Sequence, residues 1–162
     1  MLQRKQLTKE QALPKIKYYC SYQERSHTEV KEKLYSFGLW KKDVEILMAQ
    51  LIEENYLNEE RFARLFAGGK FRMKQWGKTR IKYELKQRQV SEYCIKLGLK
   101  EIGEEDYLAT IKKQAEKKWK TLKGEKNIFI KKRKTADYLL RKGFERNMIE
   151  DAMAEVGKDE DI

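Results

Sequence analysis

The apolar positions of this chain recur as a long repeat. Three segments superpose without gaps when slid by 51 and then 54 positions, opening at Val30, Ile81 and Thr135. Their apolar columns read Leu34/Leu85/Leu139, Leu39/Val90/Phe144, Val44/Ile95/Ile149, Met48/Leu99/Met153 and Leu51/Ile102/Val156. Steps of four and three between the last three columns match one face of a helix. At the position of a turn stand Gly38, Gln89 and Gly143. Glycine suits the left-handed residue just past a helix end, so Gln89 predicts a middle turn of different shape. Each copy is therefore a helix, a short turn and a second helix.

A further helical stretch precedes each pair, over residues 13–23, 59–76 and 106–122. Ser26 with Glu29 makes a capping-box pattern that starts a helix at about Thr28. Thr8 with Gln11 makes another, but Pro14 follows and would clash inside a helix, so the first regular helix is expected from Leu13. Asn58 caps the second upstream stretch, with Glu59 and Glu60 in its first turn. The predicted fold is all-α, three tandem three-helix repeats of helix-turn-helix type forming an elongated, curved body. The boundaries are 1–57, 58–103 (strongly basic) and 104–162, the last with an acidic tail, KDEDI. Units this small bury little core alone and must stack on their neighbours. Gly68 and Gly69 mark an expected kink or joint, and residues 123–127 a polar connector.

Composition agrees with helices. Charged residues form 39% of the chain and apolar ones 40%, while one Pro and 9 Gly supply too few turns for a many-stranded sandwich. Net charge is +11, and its placement matters more than its size. Residues 1–60 hold 10 basic and 10 acidic side chains and residues 101–162 hold 15 and 14, whereas residues 61–100 hold 12 and 2. That concentration attracts phosphate backbones. The candidate contacts are Arg61, Arg64, Lys70, Arg72, Lys74, Lys78, Arg80, Lys82, Lys86 and Arg88, with Trp76 as a ring able to stack on an unpaired base. Phe71 is expected in the core. Lys131, Lys132, Arg133 and Lys134 form a secondary basic cluster. Trp40 and Trp119 are expected to anchor helix packing, and Glu29 to support Lys33 at four-residue spacing.

Catalytic chemistry finds no constellation. His27 is the single histidine, at a helix start where an exposed polar residue is ordinary. Cys20 and Cys94 lie 74 positions apart without CxxC spacing, too few ligands for a metal, and are expected as buried reduced thiols. The string AGGK at residues 67–70 lacks the spacing of a phosphate-binding loop. No cofactor, metal or catalytic residue is therefore assigned. The opening MLQRKQLTKEQ has no apolar core of a signal peptide and no stretch has membrane-spanning length, so a cytoplasmic protein without membrane contact is expected. High charge and the lack of a dimer motif favour a monomer.

Four segments resemble the RecX family of recombinase regulators. SHTEVKEKLYSFG is similar to the family's Ser-x-x-Glu-Leu helix ending in Gly, and YLNEERFARLF to its Leu-x-Asp-x-x-Phe-Ala signature, carried by Leu57, Glu59, Phe62 and Ala63. GKTRIKYEL is similar to Gly-x-x-x-Ile-x-x-Glu-Leu at Gly77, Ile81, Glu84 and Leu85, and LLRKGFERNMIEDAM to the closing Arg-x-Gly-Phe-x-x-x-x-Ile pattern. The likeness runs over residues 12–156 in the family's order. It implies a non-enzymatic regulator that binds the RecA recombinase filament on single-stranded DNA and depresses its strand exchange, ATP hydrolysis and coprotease activities. It also implies some affinity for DNA, single-stranded first and double-stranded second. The competing expectation, from the helix–turn–helix pairs alone, is a stand-alone nucleic-acid-binding module.

Overall fold

Helix caps decide where the elements begin. The structure, a computed structural model, describes residues 6–158. Thr8 accepts the Gln11 amide on its hydroxyl at 3.1 Å, and the Gln11 side chain accepts the Thr8 amide at 3.0 Å. This complete capping box starts α1 at Lys9, and the helix runs to Tyr22, so the expected start at Leu13 is wrong. Pro14 stands inside α1. Its ring leaves the Glu10 carbonyl without a donor, but Glu10 is exposed to water, and two capping bonds outweigh the loss.

Ser26 caps α2 (His27–Ser36), taking the Glu29 amide at 3.1 Å, and α3 spans Lys41–Glu53. The Asn58 side chain takes the Arg61 amide at 2.8 Å at the head of α4 (Glu59–Lys74). Then follow α5 (Lys78–Gln87), α6 (Glu92–Leu99) and α7 (Glu104–Thr121). After the polar connector, Asn127 opens α8 (Ile128–Lys142), and α9 is Arg146–Glu155. No strand occurs among the described residues. The acidic residues expected at 159–162 lie outside them.

The repeat columns form the core. Leu34, Leu85 and Leu139 are each 0% exposed, and Leu39/Val90/Phe144, Val44/Ile95/Ile149 and Leu51/Ile102/Val156 are all buried. The three turns share one conformation. Gly38 has φ +84°, Gly143 φ +97°, and Gln89 φ +58°, so the middle turn does not differ as expected. The Val90 amide reaches the Leu85 carbonyl at 3.1 Å as the Phe144 amide reaches Leu139 at 3.1 Å, and the first of these, with the Gln89 amide on the Lys86 carbonyl at 2.9 Å, holds Gln89 left-handed.

Compactness divides the chain along another line. One unit contains residues 1–66 and 85–98, the other residues 67–84 and 99–162, so α4 and α5 each contribute to both. In the first unit α1, α2 and α3 close around Ile16, Val30, Leu34, Val44, Leu47 and Leu51. In the second, α7 packs on α8 and α9, and Phe71, Tyr107 and Phe144 stack at centroid spacings of 5.9 and 5.6 Å. Gly68 and Gly69 do not interrupt α4.

One helix-to-helix joint occurs in each unit, built from equivalent repeat positions. In the first, the Thr28 hydroxyl at the head of α2 donates to the Arg88 carbonyl at the tail of α5 at 2.8 Å. The Ser91 amide donates to Glu59 Oε1 at 2.6 Å. In the second, the amides of Gly77 and Thr79 at the head of α5 donate to the carbonyls of Lys142 and Gly143 at the tail of α8, at 2.8 and 2.9 Å. The Lys78 amide reaches the Tyr107 hydroxyl at 3.0 Å, which in turn donates to Glu145. Thr28 and Thr79, and likewise Arg88 and Lys142, stand at the repeat offsets of 51 and 54. In the second joint orphan amides at one helix start thus meet orphan carbonyls at another helix end, and in the first a hydroxyl serves one such carbonyl.

Three side chains depart from expectation. Trp40 is 76% exposed at the start of α3, where its side chain caps nothing, whereas Trp119 is buried as expected. Glu29 faces Arg88 at 3.7 Å, while the Lys33 amine lies over the rings of Tyr19 and Phe37, so the expected Glu29–Lys33 pair is replaced by contacts across helices. Cys20 is buried, and burial pushes its thiol up to about 11, but Cys94 is only half-buried.

Candidate nucleic-acid interface

The basic run does not form one surface. Arg61 is committed to the first unit: its Nε meets Glu24 at 2.5 Å, and its two terminal nitrogens donate to Asn55 at 3.1 Å. Arg64 pairs with Glu60 at 2.9 Å along α4. Arg88 pairs with Glu29 and covers the Phe66 ring at 4.8 Å. Lys86 is exposed on the same unit. Helical geometry turns these side chains toward different neighbours, and the acids that engage them lie 4 to 59 positions away in sequence.

The rest of the run belongs to the second unit. Arg72, Lys74 and Lys82 are exposed, and Lys78 lies over the Tyr107 ring at 4.6 Å. Arg72 and Lys113 line a shallow cavity of about 350 Å³ that also meets Asp106. Trp76 is half-buried, with the Arg80 guanidinium 4.1 Å and the Lys70 amine 5.1 Å from its ring centroid. Its ring therefore serves its own cations, and a base that stacks there must share it with them.

Two further cations join from helices outside the run. The Lys142 amine, at the end of α8, donates to the Lys74 carbonyl at 2.7 Å. Its pKa is held below the ordinary 10.5, first by burial and then by the charges of Arg80, Lys117 and Lys74. Four cations from α4, α5, α7 and α8 thus crowd one place. No carboxylate pairs with any of them among the described residues. Such a convergence raises the local positive potential and lowers its own stability, and an anion relieves both. Lys117 and Lys142 escaped the sequence reading because they lie 43 and 68 positions beyond Lys74.

The secondary cluster disperses around α8. Lys131 is buried at 9% exposure with its amine 4.1 Å from the Trp119 ring centroid, and Lys134 meets Glu125 at 3.5 Å. Of the four, Lys132 and Arg133 are exposed with no carboxylate paired to them among the described residues. Four consecutive residues cover a full turn, so they cannot share one face.

His27 is not the exposed polar residue expected. It is half-buried, its Nδ1 lies 3.7 Å from Glu59 Oε2, and its Nε2 is buried with no hydrogen-bond partner. Burial lowers its pKa from 6.5, against the raising effect of the Glu59 carboxylate and with the Lys31 charge. No group of three or more metal-ligating side chains occurs among the described residues, and no helix there is long and apolar enough to cross a membrane.

Fold and surface together define an all-helical protein of tandem three-helix repeats whose second compact unit gathers cations from several helices. Family models of RecX match twice, as its second three-helix domain over residues 58–99 and its third over residues 104–153. The chain belongs to the RecX family. It is 29% identical over 144 residues to the regulatory protein RecX of Bacillus cytotoxicus and 27% identical over 144 residues to that of Bacillus thuringiensis. Each alignment covers 88% of this chain and 53% of the relative, so the chain spans about half the length of these relatives. The crystal structure of RecX from Lactobacillus salivarius shares the fold with a TM-score of 0.83 at 21% identity, covering 91% of this chain and 96% of that one. A second crystal structure, of regulatory protein RecX, gives the same score and covers 73% of its chain.

Proposed function

We propose that this chain regulates a RecA-type recombinase by binding its filament on single-stranded DNA and depressing strand exchange, ATP hydrolysis and coprotease activity. The relatives' shared name, regulatory protein RecX, supports a regulatory role. The observation that carries the nucleic-acid contact is the convergence of Lys74, Arg80, Lys117 and Lys142 without a paired carboxylate. Exposed Arg72 and Lys82, with Lys70, Trp76 and Lys78, extend this candidate surface. Arg61 and Arg88 act instead in holding the first unit together, Arg64 is engaged by Glu60 along α4, and of the α8 cluster Lys132 and Arg133 remain candidates. In this reading the protein works as a cytoplasmic monomer, divided functionally at 1–57, 58–103 and 104–162, and uses no cofactor or metal.

Cations that displace counterions from a strand compete with any process needing that strand to move, such as homology search and exchange. The direct experiment follows recombinase ATP hydrolysis and strand exchange on single-stranded DNA while this protein is titrated in. Both should fall at or below one copy per recombinase protomer. Normal rates across the whole titration reject the function.

A further inference from the structure

A second surface, in the first unit, lies outside the basic run. On α1 the residues Ala12, Ile16 and Cys20 point into the core. Tyr18 and Tyr22 occupy the outer face at four-residue spacing, 71% and 72% exposed, with ring centroids 6.5 Å apart. Together with Tyr19 and with Phe37 from the end of α2, they line an open groove of about 650 Å³. Two tyrosines this exposed gain little for the fold, since most of each side chain stays in water.

The remaining charges of the groove have one sign. Lys15, Arg25 and Lys33 line it, and no acidic residue does. Elsewhere in the same unit several cations are matched: Lys17 with Glu54, Arg61 with Glu24, Arg64 with Glu60, Arg88 with Glu29. Arg25 is fixed by donation from its Nε to the Tyr19 carbonyl at 3.0 Å, with its guanidinium 3.7 Å from the Tyr19 ring centroid. Neither it, Lys15 nor Lys33 has a carboxylate partner among the described residues. Residues 1–60 are neutral in sum, yet the groove gathers three cations and no acid beside its exposed rings.

We infer that this groove binds single-stranded nucleic acid by base stacking, with unpaired bases on Tyr18 and Tyr22 and the backbone phosphates against Lys15, Arg25 and Lys33. A duplex keeps its bases covered and offers such rings nothing, whereas every unpaired base has a face to stack. An acidic peptide satisfies the cations but leaves the tyrosine faces without a planar partner. The site is chemically distinct from the cation cluster of the second unit. There the contact is electrostatic, and here it depends on the base.

The experiment measures binding of a fluorescent oligothymidylate and of an abasic oligonucleotide of equal length and charge, without recombinase. Tyr18→Ala/Tyr22→Ala is compared with Tyr18→Phe/Tyr22→Phe, which keeps both rings. The alanine variant, which removes two stacking rings, should lose at least roughly 30-fold in affinity for the thymidylate strand and nothing for the abasic one. The phenylalanine variant should bind both as the wild type does. Both variants should keep the wild-type unfolding midpoint because the rings are exposed. A preference for bases over abasic strand should also survive charge reversal of Lys74, Arg80 and Lys117, which separates this site from the proposed cluster. Equal thymidylate affinity in the alanine variant and the wild type overturns the inference. So does an alanine variant that keeps its strand affinity and loses only a protein partner, since that makes the groove a peptide site.

Discussion

Replacing Gly77 by alanine sets one methyl group against the backbone of another helix end. A Cβ there would stand 2.2 Å from both the carbonyl carbon and oxygen of Gly143 and 2.3 Å from the Phe144 nitrogen. None of these is a side-chain end that can swing aside, so the head of α5 must move off the tail of α8. Two backbone bonds depend on that contact, Gly77 to Lys142 at 2.8 Å and Thr79 to Gly143 at 2.9 Å. At a net of about 1 kcal/mol each they account for about 2 kcal/mol. Overpacking a buried site adds about 1–3 kcal/mol, so Gly77→Ala should destabilise by about 3–5 kcal/mol. For a chain of this size each kcal/mol moves the thermal midpoint by roughly 2–4 °C. The matched control is Gly69→Ala, within α4 and with nothing near its Cβ position, which should stabilise by about 0.5–1 kcal/mol through helix propensity. Urea unfolding followed by circular dichroism reads both. The joint is refuted if Gly77→Ala unfolds within about 0.5 kcal/mol of the wild type.

Further substitutions test the rest of the fold. Trp119→Ala should cost about 3–5 kcal/mol and Trp40→Ala less than about 0.5, because only the first ring is buried; thermal melts of both decide it. Gln89→Gly should raise stability by about 0.5–1 kcal/mol, since it relieves a left-handed residue at φ +58°, and a loss in denaturant titration contradicts the shared turn geometry. His27 has a folded pKa below its ordinary 6.5, so the native state favours the neutral ring and the unfolded chain binds more protons. Its contribution is complete above 6.5 and is lost as pH falls through the lowered folded value, a slope that His27→Gln should remove from a pH series of melts.

Much of this fold can be read along the chain because repeated burial leaves repeated apolar columns. Leu34, Leu85 and Leu139 are equivalent in sequence and equally buried in space. Local rules fail where two of them compete. Pro14 argues against a helix, but the Thr8–Gln11 box has already started one, and a single lost bond at its second turn is affordable. Gln89 lacks the freedom of glycine, yet the Val90–Leu85 bond fixes the same turn. Trp40 shows the limit of inferring burial from residue size, since its place at the head of α3 faces it outward. The site is less legible than the fold. The charge excess of residues 61–100 is plain, but only packing reveals that Arg61 and Arg88 are engaged by Glu24 and Glu29, and that Lys117 and Lys142 join the remainder. The tyrosines of α1 carry a period of four, but a tyrosine stripe reads equally well as core until the opposite face is seen to hold Ile16 and Cys20.

The central claim is that the cations of the second unit meet phosphates, and salt dependence reads this most directly. The affinity for single-stranded DNA should fall linearly with salt on logarithmic axes, with a slope of about −0.7 for each phosphate contacted. Lys74→Glu/Arg80→Glu/Lys117→Glu should keep its helical signal, bind more weakly and lose about 2 units of that slope. The equally charged Lys31→Glu/Lys42→Glu/Lys96→Glu variant, altered on exposed sites of the first unit, should keep the wild-type slope. A wild-type slope in the first variant, or the same flattening in both, would contradict the account.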